Sequence, residues 1–391
     1  AYVATYISAV ALVGFGGLCY LFGMQMLLIA AGNVWFGTWF VYRYLAWPTK
    51  LWQRRLDAKT PAELLAKAYG APALQTFIGA LSTVLLVIYG SAVFPAAAVL
   101  VAGVLPVSVI TALLVLVAVV GLSVVCGGLR GVLYTEALQG LVMIIGVGAL
   151  LLALLKAVGG PTAGLQQLAM MKPTAGADNG FLALSSGAGG LNIIFLSIVT
   201  SVGIWAQPQL IQRHFALRSA EETRKAAPLA MLALSVVVGG AYFASALSRV
   251  LLGSGITNPD TVLPTLVHRL LPVFGQQIFA LAIVSASLST ASALLHIASG
   301  SFGRDVFRKQ LSGWLWRGAV LLCTAGSGLF ALNSSSIIAI ICTTSWTLLA
   351  CAIMVPYLAL LAFGPKVGAG AALLSSAGGF FASVCWYLLA Y

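Results

Sequence analysis

Apolar runs of about 20 residues follow one another along almost the whole chain, separated by short polar stretches. Runs of this length are typical of transmembrane helices. The sequence therefore predicts an all-α polytopic membrane protein with about eleven transmembrane helices, the first of them cut short. The runs lie near residues 1–13, 18–46, 73–102, 105–126, 131–156, 190–208, 228–253, 274–299, 317–332, 336–363 and 369–390.

Two of these runs contain residues that interrupt a helix. The first reads AYVATYISAVALVGFGG and the sixth reads LSIVTSVGIWAQPQLIQR. Either could be an ordinary kink, since glycine and proline are common in membrane helices. Their positions match, however, as the first helices of two five-helix repeats. Broken helices at matched positions of two inverted repeats indicate the midplane binding site of a transporter.

The same pattern sets the domain organisation. We expect one transmembrane domain over residues 1–391, with a first repeat at about 1–156 and a second at about 190–363. An additional C-terminal helix covers about 369–390. The chain begins at Ala1, without an initiator Met and already inside an apolar run, so we expect its N-terminus to be truncated.

Composition agrees with a membrane protein: 61% of residues are hydrophobic, 7% are charged, and the mean hydropathy is +1.05. The net charge of +12 comes from Lys and Arg in short loops, mostly on one side of the predicted membrane. That side is cytoplasmic by the positive-inside rule. The basic excess thus indicates topology, with membrane lipid rather than nucleic acid as partner, in the plasma membrane (the inner membrane of a bacterium).

Acidic residues are scarce, and Glu136 alone falls within a predicted membrane segment, near its cytoplasmic end. The sequence has no H-E-x-x-H, Walker, G-x-S-x-G or dinucleotide-binding motif. It has no paired carboxylates inside the membrane and no repeated pore loop either. We therefore do not expect an enzyme, whereas a channel is harder to exclude from these features alone.

Hydroxyl side chains are concentrated in the stretch SASLSTASALLH, residues 285–296. Positions three and four apart share a helix face, so the Ala286 carbonyl can lie near the hydroxyls of Ser289 and Thr290. Several neutral oxygens together suit a small hard cation such as Na⁺, with the broken first segment supplying further carbonyls. Alternatively, these hydroxyls bond back to their own helix or pack against a neighbour.

Four blocks resemble the sodium/solute symporter family, which is built on the five-plus-five inverted-repeat fold of the leucine transporter. They occur in the family's order and span nearly the whole chain. The blocks are ATYISAVALVGFGG (4–17), GGLRGVLYTEALQG (127–140), WAQPQLIQRHFALRSAEETRKA (205–226) and LSTASALLHIASGSFGRDVFRK (288–309).

The resemblance implies a sodium site between the first and eighth core helices. Its ligands would be the carbonyls of Ala4, Ile7 and Ala286 and the hydroxyls of Ser289 and Thr290. Glu136 stands where the family usually has an Asp associated with sodium passage toward the cytoplasm. The alternative for Glu136 is a solvated residue at a helix start.

The chain also departs from the family. Tyr6 stands where some members have Asp or Asn, so a coupling role for a polar group there is in doubt. Sugar transporters of the family have a Gln at the position of Ala11 and an aromatic gate at that of Gly203; both are missing here. This favours an amino acid or a small organic acid over a sugar.

Polar and aromatic residues beside the helix breaks are candidates for the solute site. No buried Arg or Lys is expected there, so a carboxylate would depend on backbone amides at the broken helix ends. His296 either joins the ion exit path and gives pH sensitivity or is a neutral residue hydrogen-bonded to a neighbouring helix. The solute-binding candidates are Tyr6, Ser8, Thr200, Ser201, Trp205, Thr343, Thr344, Ser345 and Trp346.

Together these features predict a sodium-coupled symporter that imports a small polar solute by alternating access, with Na⁺ as the coupling ion. Proton coupling on the same scaffold, a sensory membrane domain and a leak of sodium without solute remain alternatives. The solute's identity, the sodium stoichiometry and the oligomeric state are left open by the sequence.

Overall fold

A computed structural model gives the fold and describes residues 2–175, 177–184, 187–309, 311–332 and 338–390. None of these residues forms a β-strand, and most are helical. The helices of the first part of the chain are α1 (Tyr2–Tyr6), α2 (Phe15–Phe22), α3 (Leu27–Ala31), α4 (Ala46–Leu56), α5 (Pro61–Tyr69), α6 (Pro72–Val104), α7 (Val109–Ala157) and α8 (Pro161–Ala169).

The second part repeats the pattern of long helices joined by short ones. Its helices are α9 (Gly187–Gly203), α10 (Pro208–His214), α11 (Ala220–Leu234), α12 (Gly240–Leu247), α13 (Arg249–Leu252), α14 (Val262–Leu270), α15 (Val273–Ser301), α16 (Gly313–Leu332), α17 (Ile338–Phe363) and α18 (Ala369–Ala390). Turns of π- or 3-10-helix lie between several of them, at Val10–Gly14, Gly23–Met26, Gly32–Thr38, Val41–Leu45, Ile204–Ala206, Ser235–Gly239, Pro259–Thr261, Phe302–Val306 and Gly364–Lys366.

Ten helical stretches of the described residues are long and apolar enough to cross a membrane. The first, Val10–Leu56, has 47 residues, enough for two crossings, and Gly23 interrupts it with a φ of +73°. Glycine suits this left-handed conformation, and a Cβ there would collide with the backbone of Phe181. Counting both crossings gives the eleven predicted helices, although residues 336 and 337 of the tenth predicted run lie outside the described ones.

Helix α7 also contains two candidate spans, Val109–Gly127 and Tyr134–Ala157. Its 49 residues would measure about 74 Å as a straight rod, more than twice the hydrocarbon thickness of a bilayer. Both of its spans pack against α15: Ser123 bonds to Ser292 at 3.3 Å, and Gly146 lies against Ala282. These spans are the fourth and fifth crossings.

Both predicted helix breaks are present. The first crossing loses helical structure at Ile7 and Ser8, between α1 and the following π-turn. The break lies before the glycine cluster. Within that cluster, the missing Cβ of Gly17 allows close contact with Pro259. In the sixth crossing the 3-10 turn Ile204–Ala206 and the extended Gln207 separate α9 from α10.

Helix α15 is the centre of the molecule. It packs against α6 on one side and α7 on another, and the short α1 also contacts it. Its hydroxyl-bearing stretch is buried throughout, from Ser285 to Ser292, apart from a half-buried Leu288. Large apolar side chains such as Leu152, Phe381 and Leu389 face outward, as expected for a surface in contact with lipid.

Candidate functional site

Two hydroxyls of α15 meet carbonyl oxygens of the first helix break. The Ser289 Oγ donates toward the Ala4 oxygen at 2.8 Å and the Ala286 oxygen at 2.9 Å. The Thr290 Oγ1 donates toward the Ile7 oxygen at 3.1 Å. The Ala4 and Ile7 carbonyls are available because helical hydrogen bonding stops at Ile7 and Ser8. The structure therefore gathers all five residues that the family resemblance implied as sodium ligands.

The surroundings of this oxygen cluster suit a small cation. All five residues are at most 1% exposed, so bulk water does not compete for the oxygens. The three carbonyls and two hydroxyls are hard, neutral oxygen donors, which Na⁺ prefers over nitrogen or sulfur. A residue set from α1 and α15 would hold the two helices together when an ion binds. The role of these residues as sodium ligands stays a prediction.

Thr5 connects the oxygen cluster to a buried ion pair. Its carbonyl oxygen lies 3.3 Å from the Thr290 hydroxyl. Its own hydroxyl donates to the Glu136 Oε1 at 3.0 Å and accepts from the Arg213 Nε at 2.9 Å. Arg213 Nη2 also donates to the Glu136 Oε1 at 2.5 Å. One residue of α1 therefore contacts both the proposed sodium site and a charged pair that links α7 to α10.

Glu136 is fully buried, and the Arg213 side chain is only 5% exposed. The interpretation of Glu136 as a solvated residue at a helix start is therefore contradicted. Removing either partner would leave an uncompensated charge in a low-dielectric interior. The Glu136 Oε2 has no partner within the part of the chain described here, so one carboxylate oxygen remains available beside the oxygen cluster.

No Arg or Lys lines the cavity that the candidate solute-site residues share, but two arginines are buried elsewhere in the described residues. Arg213, assigned from the sequence to a cytoplasmic loop, lies at the end of α10 beside Glu136. Arg249 is 5% exposed, and its guanidinium carbon lies 4.7 Å and 4.8 Å from the ring centroids of Tyr20 and Phe181. Arg213 follows the sixth apolar run and Arg249 lies near the end of the seventh. A carboxylate beside Arg213 and aromatic faces beside Arg249 make burial of these cations favourable.

A small cavity lies beside the first helix break, with a volume of about 50 Å³. This volume holds only a few water molecules, so a solute requires a more open conformation. Five of the predicted candidates line it: Tyr6, Ser8, Thr200, Thr343 and Trp346. The full lining is Tyr6, Ser8, Val10, Ala11, Phe15, Asn33, Tyr89, Thr200, Tyr242, Cys342, Thr343 and Trp346.

The other predicted candidates do not line the cavity. Ser201 turns toward its own helix, where its Oγ donates to the Ser197 oxygen at 2.5 Å. The Trp205 ring stacks on Phe40, with centroids 4.1 Å apart, and its Nε1 donates to the Gly37 oxygen at 3.2 Å. Thr344 and Ser345 lie on other faces of α17 than the cavity-lining Thr343 and Trp346.

The sequence missed several lining residues that come from other helices. Tyr89, on α6, meets Trp346 edge-on at 6.0 Å, and Phe15 stacks on Tyr242 at 6.2 Å. Asn33, in the π-helical stretch Gly32–Thr38, is 5% exposed. An amide inside an apolar run was a signal that could have identified Asn33. The aromatic positions gave no such signal, because aromatic residues are common in any core.

His296 lies apart from the oxygen cluster, in a second cavity of about 330 Å³. Lys59, Arg304 and Lys309 line the same cavity. The His296 ring meets Trp316 edge-on at 6.0 Å, and its Nδ1 has no partner among the described residues. A hydrogen bond from His296 to a neighbouring helix is one of the two sequence-based alternatives, and the Nδ1 atom does not make one to the described residues.

Comparison with known proteins identifies the class to which this fold and oxygen cluster belong. The model of the sodium:solute symporter family matches residues 1–379. The chain therefore belongs to the sodium:solute symporter family, whose members are transporters rather than enzymes. It is a multi-pass plasma-membrane protein, in agreement with the ten candidate membrane spans of the described residues.

Similar curated proteins are two sodium/pantothenate symporters. The protein from Haemophilus influenzae is 29% identical over 309 residues, which cover 78% of this chain and 62% of that protein. The protein from Escherichia coli K12 is 26% identical over 309 residues, with the same coverage. The chain thus matches somewhat less than two thirds of the length of these relatives.

A solved structure of a Na⁺-coupled sialic acid symporter, in a substrate-bound outward-open state, has a similar fold. The TM-score is 0.76 at 14% sequence identity, and the match covers 99% of this chain and 88% of that one. At this identity the likeness concerns the fold alone. It confirms the predicted five-plus-five inverted-repeat fold.

Proposed function

We propose that this chain is a sodium-coupled symporter that carries a small polar solute into the cell by alternating access. Membership of the sodium:solute symporter family and the similarity to sodium/pantothenate symporters support this proposal. The proposed cargo is one solute together with Na⁺, moved between the two sides of the membrane.

The observation that carries the proposal is the contact of the Ser289 and Thr290 hydroxyls with the carbonyls of Ala4 and Ile7. An ion bound here would link α1 to α15 and stabilise the conformation in which they touch. Movement of α1 and the adjoining break away from α15 would remove the Ala4 and Ile7 carbonyls from the ligand set. Sodium would then leave past Glu136, whose carboxylate accepts a hydrogen bond from the hydroxyl of Thr5, the neighbour of Ala4.

For the solute we propose pantothenate or another small organic acid, with amino acids as a further class, rather than a sugar. The names of the relatives support pantothenate. The absence of a Gln at Ala11 and of an aromatic residue at Gly203 weighs against a sugar. Trp346 packs directly against Gly203, in the space that a side chain at this position would need.

A thermal-shift screen of the purified protein tests ion and solute together. Pantothenate, amino acids, monocarboxylates and sugars are each added in NaCl and in KCl. We expect NaCl alone to raise the unfolding temperature, and a solute of the proposed class to raise it further only when sodium is present, because ligands that bind the folded state stabilise it. Equal stabilisation in both salts would contradict sodium coupling.

Uptake into proteoliposomes separates the remaining mechanisms. A sodium gradient should drive accumulation of the solute identified in the screen. Accumulation that follows a pH gradient and ignores sodium would instead support proton coupling. Sodium entry in the absence of solute would indicate a leak.

A further inference from the structure

Two polar atoms of opposite character are buried in side chains that line the small cavity beside the first helix break. The Asn33 Oδ1 is a hydrogen-bond acceptor and the Trp346 Nε1 is a donor. Neither has a partner among the residues that the structure describes. Both side chains line the cavity and are at most 9% exposed, and the Nε1 edge of Trp346 lies against Gly203, just before the sixth helix break.

Buried polar atoms are almost always hydrogen-bonded, because leaving one unpaired costs free energy. The two exceptions here come from helices distant in sequence and share one cavity. The Asn33 amide also carries a donor beside its acceptor, so it can pair with a hydroxyl or an amide in either orientation. A ligand that carries both a donor and an acceptor would pair with these two atoms.

The charge of the lining restricts that ligand. Among the described lining residues none is Asp, Glu, Lys, Arg or His. A charged group placed in this cavity would lose its hydration without gaining a counter-charge. The nearby Glu136 and Arg213 pair with each other and do not line the cavity. Aromatic rings of Tyr6, Tyr89 and Trp346 instead form an apolar wall with polar edges.

We infer that the small cavity beside the first helix break recognises an uncharged hydroxyl or amide portion of the solute. Asn33 accepts a hydrogen bond from that portion, and the Trp346 Nε1 donates one to it, while the aromatic rings pack against its carbon atoms. The inference rests on the proposed symporter function and adds the chemical class that this site selects. A carboxylate on the same solute lies outside this lining.

Two matched pairs of probes test the inference on the full chain in NaCl. Pantothenyl alcohol and pantothenate differ only in replacement of the carboxylate by a hydroxymethyl group, and lactamide and lactate differ only in an amide against a carboxylate. We expect the neutral member of each pair to bind within about threefold of the acid, measured by calorimetry or thermal shift. A neutral member more than tenfold weaker in both pairs, or no binding by any probe, overturns the inference.

Single substitutions test whether Asn33 and Trp346 each make a hydrogen bond to the solute. Asn33→Leu removes the amide at similar size, and Trp346→Phe keeps an aromatic ring but removes the Nε1 donor. Each should weaken the neutral probes about tenfold or more, as expected for loss of a buried hydrogen bond. Ser201→Ala, whose hydroxyl faces its own helix, is the matched control and should leave affinity unchanged. Unchanged affinity in both site variants overturns the inference.

The stabilisation by NaCl alone separates this inference from the proposed function. If sodium still stabilises Asn33→Leu and Trp346→Phe to the same extent as wild type, the variants are folded and the sodium site is intact. Loss of solute binding then reports on the cavity. If NaCl does not stabilise the wild-type protein, the result contradicts the proposed sodium coupling, regardless of how the four probes bind.

Discussion

At the scale of single residues, the hydroxyl-rich stretch of α15 divides into two groups. Ser289 and Thr290 reach carbonyls of α1, more than 280 residues away in sequence. Ser287 instead donates to the Ile283 oxygen of its own helix at 3.0 Å. Ser292 bonds to Ser123 of α7. The same residue type thus contributes to a candidate ion site, to back-bonding and to helix packing, depending on the face it occupies.

Thr290→Ala should weaken sodium binding, because it removes one of the five oxygens. We expect the sodium concentration for half-maximal stabilisation to rise about tenfold, the usual effect of one lost polar contact. Thr290→Ser keeps the hydroxyl and serves as control. Ser289→Ala should act in the same direction, measured by thermal shift against NaCl concentration. A wild-type sodium response in both alanine variants would rule out the proposed site.

The buried ion pair gives a second prediction. Arg213→Met should destabilise the protein by about 3–5 kcal/mol because it leaves Glu136 charged and unpaired. Glu136→Gln should also destabilise, and the double variant should recover much of the loss. Unfolding in detergent, followed by circular dichroism, measures these changes.

The exposed pair Lys225–Glu221 is the matched control. Its side chains are 76% and 75% exposed, and Lys225→Met should change stability by at most about 0.5 kcal/mol. Equal effects of the Arg213 and Lys225 substitutions would show that the Glu136 pair is not buried as described.

At the scale of helices, small residues set how closely α7 and α15 approach. A Cβ placed on Gly146 would lie 2.5 Å from the Ala282 Cβ, whereas one placed on Gly148 meets nothing within 4 Å. Both glycines belong to the same span of α7, so they form a natural comparison. Close approach of α7 also brings Glu136 to Thr5.

Gly146→Ala should therefore destabilise the protein by about 1–3 kcal/mol, the usual cost of overpacking. Gly148→Ala should be neutral or slightly stabilising, because alanine is the better helix former. Adding Ala282→Gly to Gly146→Ala should restore part of the stability. Thermal unfolding of the four proteins measures this, and equal effects of the two glycine substitutions would contradict the packing.

At the scale of the whole molecule, we propose that the short helix α1 is the element that moves. It contacts α7, α10, α11 and α15, and a cavity of about 340 Å³ beside it is lined by Tyr2, Glu136 and Ala230, among others. This cavity offers space for the displacement that would open a path from the oxygen cluster. Alternating access would then be a rearrangement of α1 around a fixed α15.

A cross-link between α1 and α7 tests that movement. The Ala4 Cβ lies 3.6 Å from a Cβ placed on Gly140, close to the separation that a disulfide requires. In a background without the six native cysteines, Ala4→Cys with Gly140→Cys should abolish transport on oxidation while sodium-dependent stabilisation persists. Reductant should restore uptake, and each single variant is a control. Full transport by the oxidised protein would exclude movement of α1.

The sequence by itself determined the features that repeat along the chain. Long apolar runs fixed the number of crossings, because each must bury its backbone within lipid. Matched interruptions located the two helix breaks to within a few residues. Helical spacing placed the Ala286 carbonyl with Ser289 and Thr290, and the family resemblance added Ala4 and Ile7.

Only the tertiary structure decided which side chains share a space. Arg213 lies 77 residues from Glu136 in sequence, and nothing local in the sequence distinguishes it from a loop cation. Asn33 and Tyr89 join the cavity from helices without a break, whereas Ser201 and Trp205, beside the sixth break, turn away from it. The direction of a side chain depends on how helices rotate and cross, and that follows from packing of the whole molecule.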